Sequence, residues 1–370
     1  MGYYKVFSGG IHPTFIQAMK FPELLSFDHA LTRLAQFDAI IDVRSPSEFA
    51  LDHIPGAINC PVLDDEQRIR VGTLYKQTGS FEAKKVGAAL VARNIAAHNE
   101  QHFADHPKDW TPLIYCWRGG NRSGSMAHIL AKIGWPVAQL DGGYKSFRQH
   151  VIHTLPTLAA GQNWQVVCGT TGSGKSRLLQ TMAAQGAQVL DLEQLALHRG
   201  SVLGHIPSQP QPSQKYFESA IWQVLRQCDP AQPVWVEAES KKVGNLRVPD
   251  CIMEAMRAAT CVNLTLALPM RVQLLLQDYT HFTLQPAQLT RQLQFLSPLH
   301  GNEKIRLWAQ LAETGHLPEL VQQLLQQHYD PAYLRSIERN FSQYGQAPQV
   351  QLDGIEVDDF AKVAQQLRQL

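Results

Sequence analysis

The sequence predicts an α/β protein made of two successive parallel-sheet units, the second carrying a helical subregion. Three observations lead there. Short apolar runs ending in polar residues recur along the chain: AIIDVRS (39–45), PLIYC (112–116), PVAQL (136–140), WQVVC (164–168), AQVLD (187–191), PVWVE (233–237) and VNLTLAL (262–268). Such a run suits a strand buried on both faces that delivers polar groups at its carboxyl end. The runs alternate with stretches of helical period, which is the pattern of α/β layering. After about residue 270 the strand signals stop; KIRLWAQLAE and PELVQQLLQQHY place apolar residues at helical spacing, before a last candidate strand at QVQLD.

A length of 370 residues favours more than one folding unit. The stretch HTLPTLAAGQN (153–163), with its Pro, Gly and small residues, lies between the two series of strands. The expected division is a first domain over 1–152, a linker over 153–163, and a second domain over 164–370 with its helical subregion at 270–340.

Composition excludes several classes. Hydrophobic residues at 44% and charged residues at 18% suit packed cores rather than disorder. Lys+Arg 33 against Asp+Glu 32 leaves a net charge of +1, so a polyanionic partner must be met by local basic clusters and not by a basic coat. The six cysteines, at 60, 116, 168, 228, 251 and 261, never take C-x-x-C spacing, which suggests neither a zinc knuckle nor a disulfide framework and fits a reducing compartment. The start MGYYKVFSGG lacks a signal-peptide pattern, and no run approaches the ~18 apolar residues of a membrane span. A cytoplasmic protein with no membrane partner is expected.

The first chemical constellation follows PLIYC. Cys116 ends that run, then come Trp117, Arg118, Gly119, Gly120, Asn121, Arg122 and Ser123, and then the helical pattern GSMAHILAKIG. A cysteine between a strand end and a helix N-terminus sits where backbone N–H groups converge and the helix dipole is positive, which favours thiolate. Arg118 and Arg122 add positive charge, and the cradle would hold the oxygens of an anionic donor while sulfur attacks. Cys60, Cys168, Cys228, Cys251 and Cys261 keep the reading of core residues.

The second constellation follows WQVVC. Gly169, Thr170, Thr171, Gly172, Ser173, Gly174, Lys175 and Ser176 complete G-x-x-x-x-G-K-S between a strand and a helix. The glycines let N–H groups close on a diphosphate, Lys175 supplies a point charge and Ser176 reaches a metal such as Mg²⁺. Glu237, Glu239 and Ser240 stand at the end of PVWVE, and Asp191 at the end of AQVLD, as candidates for handling a metal or a proton. Weaker signals are the polar turn His198, Arg199, Gly200, Ser201 with Gly204, and the stretch Gln211, Pro212, Ser213, Gln214 before an amphipathic helix holding Phe217 and Glu218.

Residues 15–150 resemble the rhodanese family through Asp42-Val43-Arg44 with Glu48-Phe49, His53-Ile54-Pro55-Gly56-Ala57 with Asn59, the Cys116 loop, and Leu140-Asp141-Gly142-Gly143. The resemblance implies a transferase that parks a chalcogen on the loop cysteine. The spacing C-x5-R departs from the shorter common rhodanese loop and matches rhodanese-like phosphatases; Tyr115, standing where those carry His, weakens that rival. The insert 64–87 is longer than usual and has no readable role. Taken together, CWRGGNRS, GTTGSGKS, HRGSVLG, QPSQKYFE and EAESKKVG resemble the tRNA 2-selenouridine synthase family over about residues 10–270. That resemblance implies replacement of sulfur by selenium in wobble 2-thiouridine, through geranylation with geranyl diphosphate and then selenation with selenophosphate. It implies no tightly bound cofactor, and a selenophosphate supply enzyme as a partner. The alternatives are a sulfurtransferase or phosphatase fused to a nucleotide-binding kinase-like domain, and a module that only docks tRNA.

Binding of tRNA asks for local basic residues. Candidates are Lys145, Arg148, Arg199, Lys241, Lys242, Arg247, Arg271, Arg291, Lys304 and Arg306, with Tyr279, Phe282 and Trp308 as rings for an unpaired base. His98, His102 and His106, spaced by four, read as a solvated helix face, because Pro107 follows and nothing encloses them.

Overall fold

The computed structural model describes residues 21–201, 204–206, 209–280 and 286–369. Two units divide between Arg148 and Gln149.

In the first unit, β1 (Glu23–Leu25), β2 (Ala39–Asp42), β3 (Ile58–Asn59), β4 (Pro112–Tyr115) and β5 (Ala138–Leu140) form a sheet in the order β1-β5-β4-β2-β3. Every pairing is parallel. β4 is central and buried at each residue, which is why PLIYC is apolar without alternation. The helix Asn121–Ile133 returns across it and buries Met126, Ala127, Leu130 and Ala131, at helical spacing, into a core with Ile41, Val43 and Ile114. The insert 64–87 contributes to two helices, Asp65–Gln77 and Ser80–His98, which pack on one another. Asp64 caps the first by accepting the Gln67 N–H at 2.7 Å. At their crossing a Cβ on Gly87 would already lie 3.4 Å from Val71.

Residues 153–163 are not an extended linker. The helix Gly143–Ala160 runs through them with Pro156 inside, and the next strand opens at Asn163. Val151, Leu155 and Ala159, spaced by four, form a stripe in which each is at most 5% exposed, and burying that stripe outweighs the hydrogen bond lost at proline.

In the second unit, β6 (Asn163–Cys168), β7 (Gln188–Leu190) and β8 (Pro233–Glu237) are followed by the antiparallel hairpin β9 (Lys242–Val243) and β10 (Leu246–Arg247), then by β11 (Thr260–Thr265) and β12 (Gln349–Gln351). The main sheet is parallel, in the order β12-β11-β6-β8-β7. β6 is central: the chain first builds the β8 side and later the β11 side, so a crevice opens at the carboxyl end of β6. The helices Asn302–Glu313 and Leu317–Leu324 make a core of their own around Trp308, Leu293, Leu320 and Leu324. Trp308 is fully buried, so it is a core residue and not a platform for a base. Phe282 lies outside the described residues.

β2 ends in the most buried ion pair of the first unit. Arg44 Nη2 meets Asp42 Oδ2 at 2.6 Å with side-chain exposures of 1% and 0%, donates to the Asp52 carbonyl, and lies 4.1 Å over the Tyr144 ring. Arg44→Met leaves a buried carboxylate without its partner and should cost about 3–5 kcal/mol in urea unfolding. A loss under about 1 kcal/mol, the size seen for exposed pairs, would refute the assignment.

Candidate functional site

Cys116 follows β4 directly and is 3% exposed. Ser123 Oγ donates to Sγ at 3.2 Å, and Gln139 Nε2 donates to Ser123 Oγ at 3.2 Å and to the Gly119 carbonyl at 2.6 Å. The Tyr144 N–H donates to the Cys116 carbonyl at 2.8 Å and the Lys145 N–H to the Trp117 carbonyl at 3.0 Å. That approach requires glycine at 143, which has φ +56°; a Cβ there would lie 2.2 Å from the Cys116 carbonyl oxygen. Among the described residues, the N–H groups of Trp117 to Ser123 donate to no backbone carbonyl, so the loop offers them to an anion.

The two arginines part company. Arg118 is exposed beside the loop. Arg122 is braced, its Nη1 meeting Glu48 Oε2 at 2.8 Å while Arg68 Nε meets the same oxygen at 3.1 Å. Burial pushes the Glu48 carboxyl up, but Arg122 and Arg68 outweigh it and hold it below the usual carboxylate range. Arg122 therefore positions the loop as well as adding charge, and Arg68 ties the inserted hairpin to it.

In the second unit, Gly169 to Ser176 bend from β6 into the helix Lys175–Ala184. Lys175 Nζ donates to the Gly169 carbonyl at 2.7 Å and sits 5.4 Å from the Tyr333 ring centroid, whose hydroxyl accepts the Gly169 N–H at 2.7 Å. Arg271, an expected tRNA contact, is 6% exposed and donates to the Thr171 carbonyl at 2.7 Å and to Asp330 at 2.6 Å. It is a buried brace of the phosphate loop, because the helix Leu268–Asp278 turns that face inward.

A cleft of about 1010 Å³ opens over the loop. Glu193, Glu237 and Glu239 project into it with ligand atoms within 4.8 Å of one another, and Ser176 Oγ donates to Glu193 at 2.9 Å. Glu193 is a cleft residue that the motifs do not reveal; its only signal in the sequence is its place two residues after Asp191. Asp191 Oδ1 accepts the Gln194 N–H at 2.8 Å as a helix cap and also lines the cleft. Leu197 adopts φ +49°, the one non-glycine residue at positive φ among those described, and turns His198 and Arg199 toward the cleft. Arg199 is held by the Asp278 carbonyl and lies 4.6 Å over the Tyr279 ring, which makes it a cleft residue. Gly200 adopts φ +63°, a conformation that favours glycine, and a Cβ there would crowd the carboxylate ends of Glu193 and Glu239. Ser201 lines the same wall, and exposed Ser240 lines the cleft too while donating to the Lys242 carbonyl.

Gln211 and Gln214 are braces of the β9–β10 hairpin, accepting the N–H groups of Asn245 and Arg247 at 2.8 Å. Lys145, Lys241, Lys242, Arg247, Arg291 and Arg306 are exposed, Lys304 and Arg148 half-buried. Lys241 and Arg247 both pair with Asp250. The histidine row is not a uniform solvated face: a π-helical turn at Asn99–Phe103 breaks its spacing, His98 bonds the Pro61 carbonyl at 3.0 Å, and His106 stacks on Trp110. Cys60, Cys168 and Cys261 are buried as expected, while Cys228 and Cys251 are half-buried.

Hard oxygen donors at this spacing suit a divalent cation. Glu237 is 1% exposed with Oε1 lacking a hydrogen-bond partner, so the set fits an ion that would neutralise it. Burial, then repulsion from Glu193 and Glu239, raises Glu237 well above the carboxylate range; burial raises Glu193 to about 7 and Glu239 to about 8. These folded values exceed the unfolded value of about 4.3, so the folded state holds extra protons. Their stabilising contribution is complete below that value and is lost as pH rises through about 7 to 8. In chelator, melting temperature should fall from about pH 6 to about pH 9, and Glu237→Gln should flatten the slope. Identical slopes in both proteins would overturn this reading.

Residues 26–150 match the rhodanese-like domain family, and residues 162–298 match the tRNA 2-selenouridine synthase AAA domain. The tRNA 2-selenouridine synthase of Nitrosomonas europaea is 37% identical over 274 residues, covering 72% of this chain and 70% of that protein. The enzyme of the same name from Cupriavidus necator is 34% identical over 328 residues, covering 80% of this chain and 87% of its own length.

Proposed function

Because the chain belongs to the tRNA 2-selenouridine synthase family, we propose that it exchanges sulfur for selenium in wobble 2-thiouridine by S-geranylation in the phosphate-loop cleft and selenation at the Cys116 loop. One observation carries the choice of an isoprenoid diphosphate over a nucleotide. An apolar pocket of about 70 Å³, room for part of a hydrocarbon tail, adjoins the loop at Thr171 and is lined by Leu275, Leu276, Leu289, Leu317, Leu320 and Leu324. A base and ribose need polar partners, whereas a hydrocarbon tail gains by leaving water for leucine.

A thiocarbonyl sulfur leaves poorly; alkylation turns it into a thiol that departs. The loop N–H groups and Lys175 stabilise the pyrophosphate released in that alkylation. Ser176, Glu193, Glu237 and Glu239 would hold a Mg²⁺ ion, whose charge would offset that of the diphosphate. The open amides after Cys116, with Arg118, seat the phosphate of selenophosphate, and the Cys116 sulfur orients the donor's selenium toward the base without bonding to it. Selenium then bonds to C2 of the base as geranyl thiol leaves, and water releases phosphate. The tRNA is met by exposed Lys145, Lys241 and Lys242. The setting is cytoplasmic, with selenophosphate delivered by its supply enzyme.

Mass spectrometry of nucleosides after incubating tRNA with the protein, geranyl diphosphate and selenophosphate tests the scheme. Cys116→Ser should keep geranyl-thiouridine and abolish selenouridine. Lys175→Ala should slow geranylation by roughly a hundredfold or more, the size of a lost charge stabiliser. Loss of the same step in both variants would sink the division of labour, and tight competition by ATP for the cleft would restore the nucleotide reading.

A further inference from the structure

The phosphate-loop cleft and the leucine pocket share five walls: Thr171, Ser201, Leu275, Tyr279 and Tyr329 line both. An ester with its diphosphate on the loop and its tail in the pocket places the bond between them at those shared walls. Two of the five are aromatic. Tyr279 caps the C-terminus of the helix Leu268–Asp278, and Tyr329 closes a π-helical turn, Leu325–Tyr329, that redirects side chains relative to an α-helix. Burial raises both phenols above the usual tyrosine value, so they stay neutral. A neutral phenol presents its ring face as an electron-rich surface. The Tyr279 ring already lies against a cation, the guanidinium of Arg199 at 4.6 Å.

We propose that Tyr279 and Tyr329 flank the allylic C1 of the bound diphosphate ester and that their π faces stabilise the positive charge developing there during transfer to sulfur. The inference rests on reading the cleft as an isoprenoid diphosphate site. In the step, the C1–O bond breaks and its electron pair leaves on pyrophosphate. A sulfur lone pair of thiouridine forms the S–C1 bond, and the N3 proton of the base passes to water, leaving a neutral thioether. The surrounding leucines keep water from capturing C1.

The test uses the full chain with tRNA and measures the rate of geranylation together with the affinity for geranyl S-thiolodiphosphate, a poorly reactive analogue. Tyr279→Leu and Tyr329→Leu should each lower kcat roughly thirtyfold with affinity unchanged, the size of a desolvated cation–π contact, while Tyr279→Phe and Tyr329→Phe should stay near the parent. Retained analogue affinity shows that the Leu variants fold. Parent-like kcat in the Leu variants would overturn the proposal; so would Phe variants falling as far as Leu, which assigns the effect to the hydroxyl. A loss of affinity with unchanged kcat assigns the rings to tail packing and also overturns it. If the parent neither binds the analogue nor geranylates tRNA, the isoprenoid reading itself fails, an outcome distinct from the others.

Discussion

A parallel strand carries its last side chain and its unpaired backbone groups to one edge of the sheet, and both units of this chain are organised by that constraint. β4 leads directly into Cys116 and β6 into the phosphate loop, each the central strand of a five-stranded sheet. Beyond each strand the chain must turn sharply into a helix, and the turn is made by glycines whose missing Cβ lets backbone meet backbone. Gly143 against the Cys116 carbonyl shows this in the first unit, and Gly169 in the second, where a Cβ would lie 2.6 Å from the Leu264 carbonyl. The N–H groups left over by these turns are suited to an anion in both places. Two different chemistries thus rest on one solution to chain geometry.

The long strands and both loops are legible in the sequence because their signals are local. Apolar runs, glycine spacing and a following helical period all fall within about ten residues. β1, β3, β9 and β10 lack the apolar run ending in a polar residue that marks β7 and β12 at comparable length. Residues whose role depends on distant partners are hidden from such reading. Arg271 and Trp308 look in sequence like surface charge and an available ring, yet one is locked to Asp330 and the other is the centre of a helical core. Glu193 escapes notice for the converse reason: its importance comes from Glu237 and Glu239, which join it only in the folded sheet. The helix through Pro156 shows the same limit, since proline is a local signal and the buried stripe beneath it is not.

The second site combines two environments that rarely adjoin. On one side, three carboxyl groups share a buried corner with Ser176 and Lys175; on the other, leucines from several helices exclude polar groups. A ligand satisfying both must be anionic at one end and hydrocarbon at the other. The helical subregion supplies the second property, and through Tyr333 and Asp330 it also braces the loop that supplies the first. Altering the packing of those helices therefore reaches the phosphate site without touching a residue of the motif.

The seclusion of Cys116 has a consequence for selectivity. Its sulfur is almost wholly enclosed and bonded by Ser123, while the amides around it remain open. Reagents are thus sorted by how they approach before the sulfur's nucleophilicity matters. An oxyanion can lodge on the loop and bring its reactive atom to the thiol, whereas a neutral electrophile or oxidant finds no foothold and a closed door. On the proposed reading, the loop would select chalcogen donors through its backbone rather than through the cysteine.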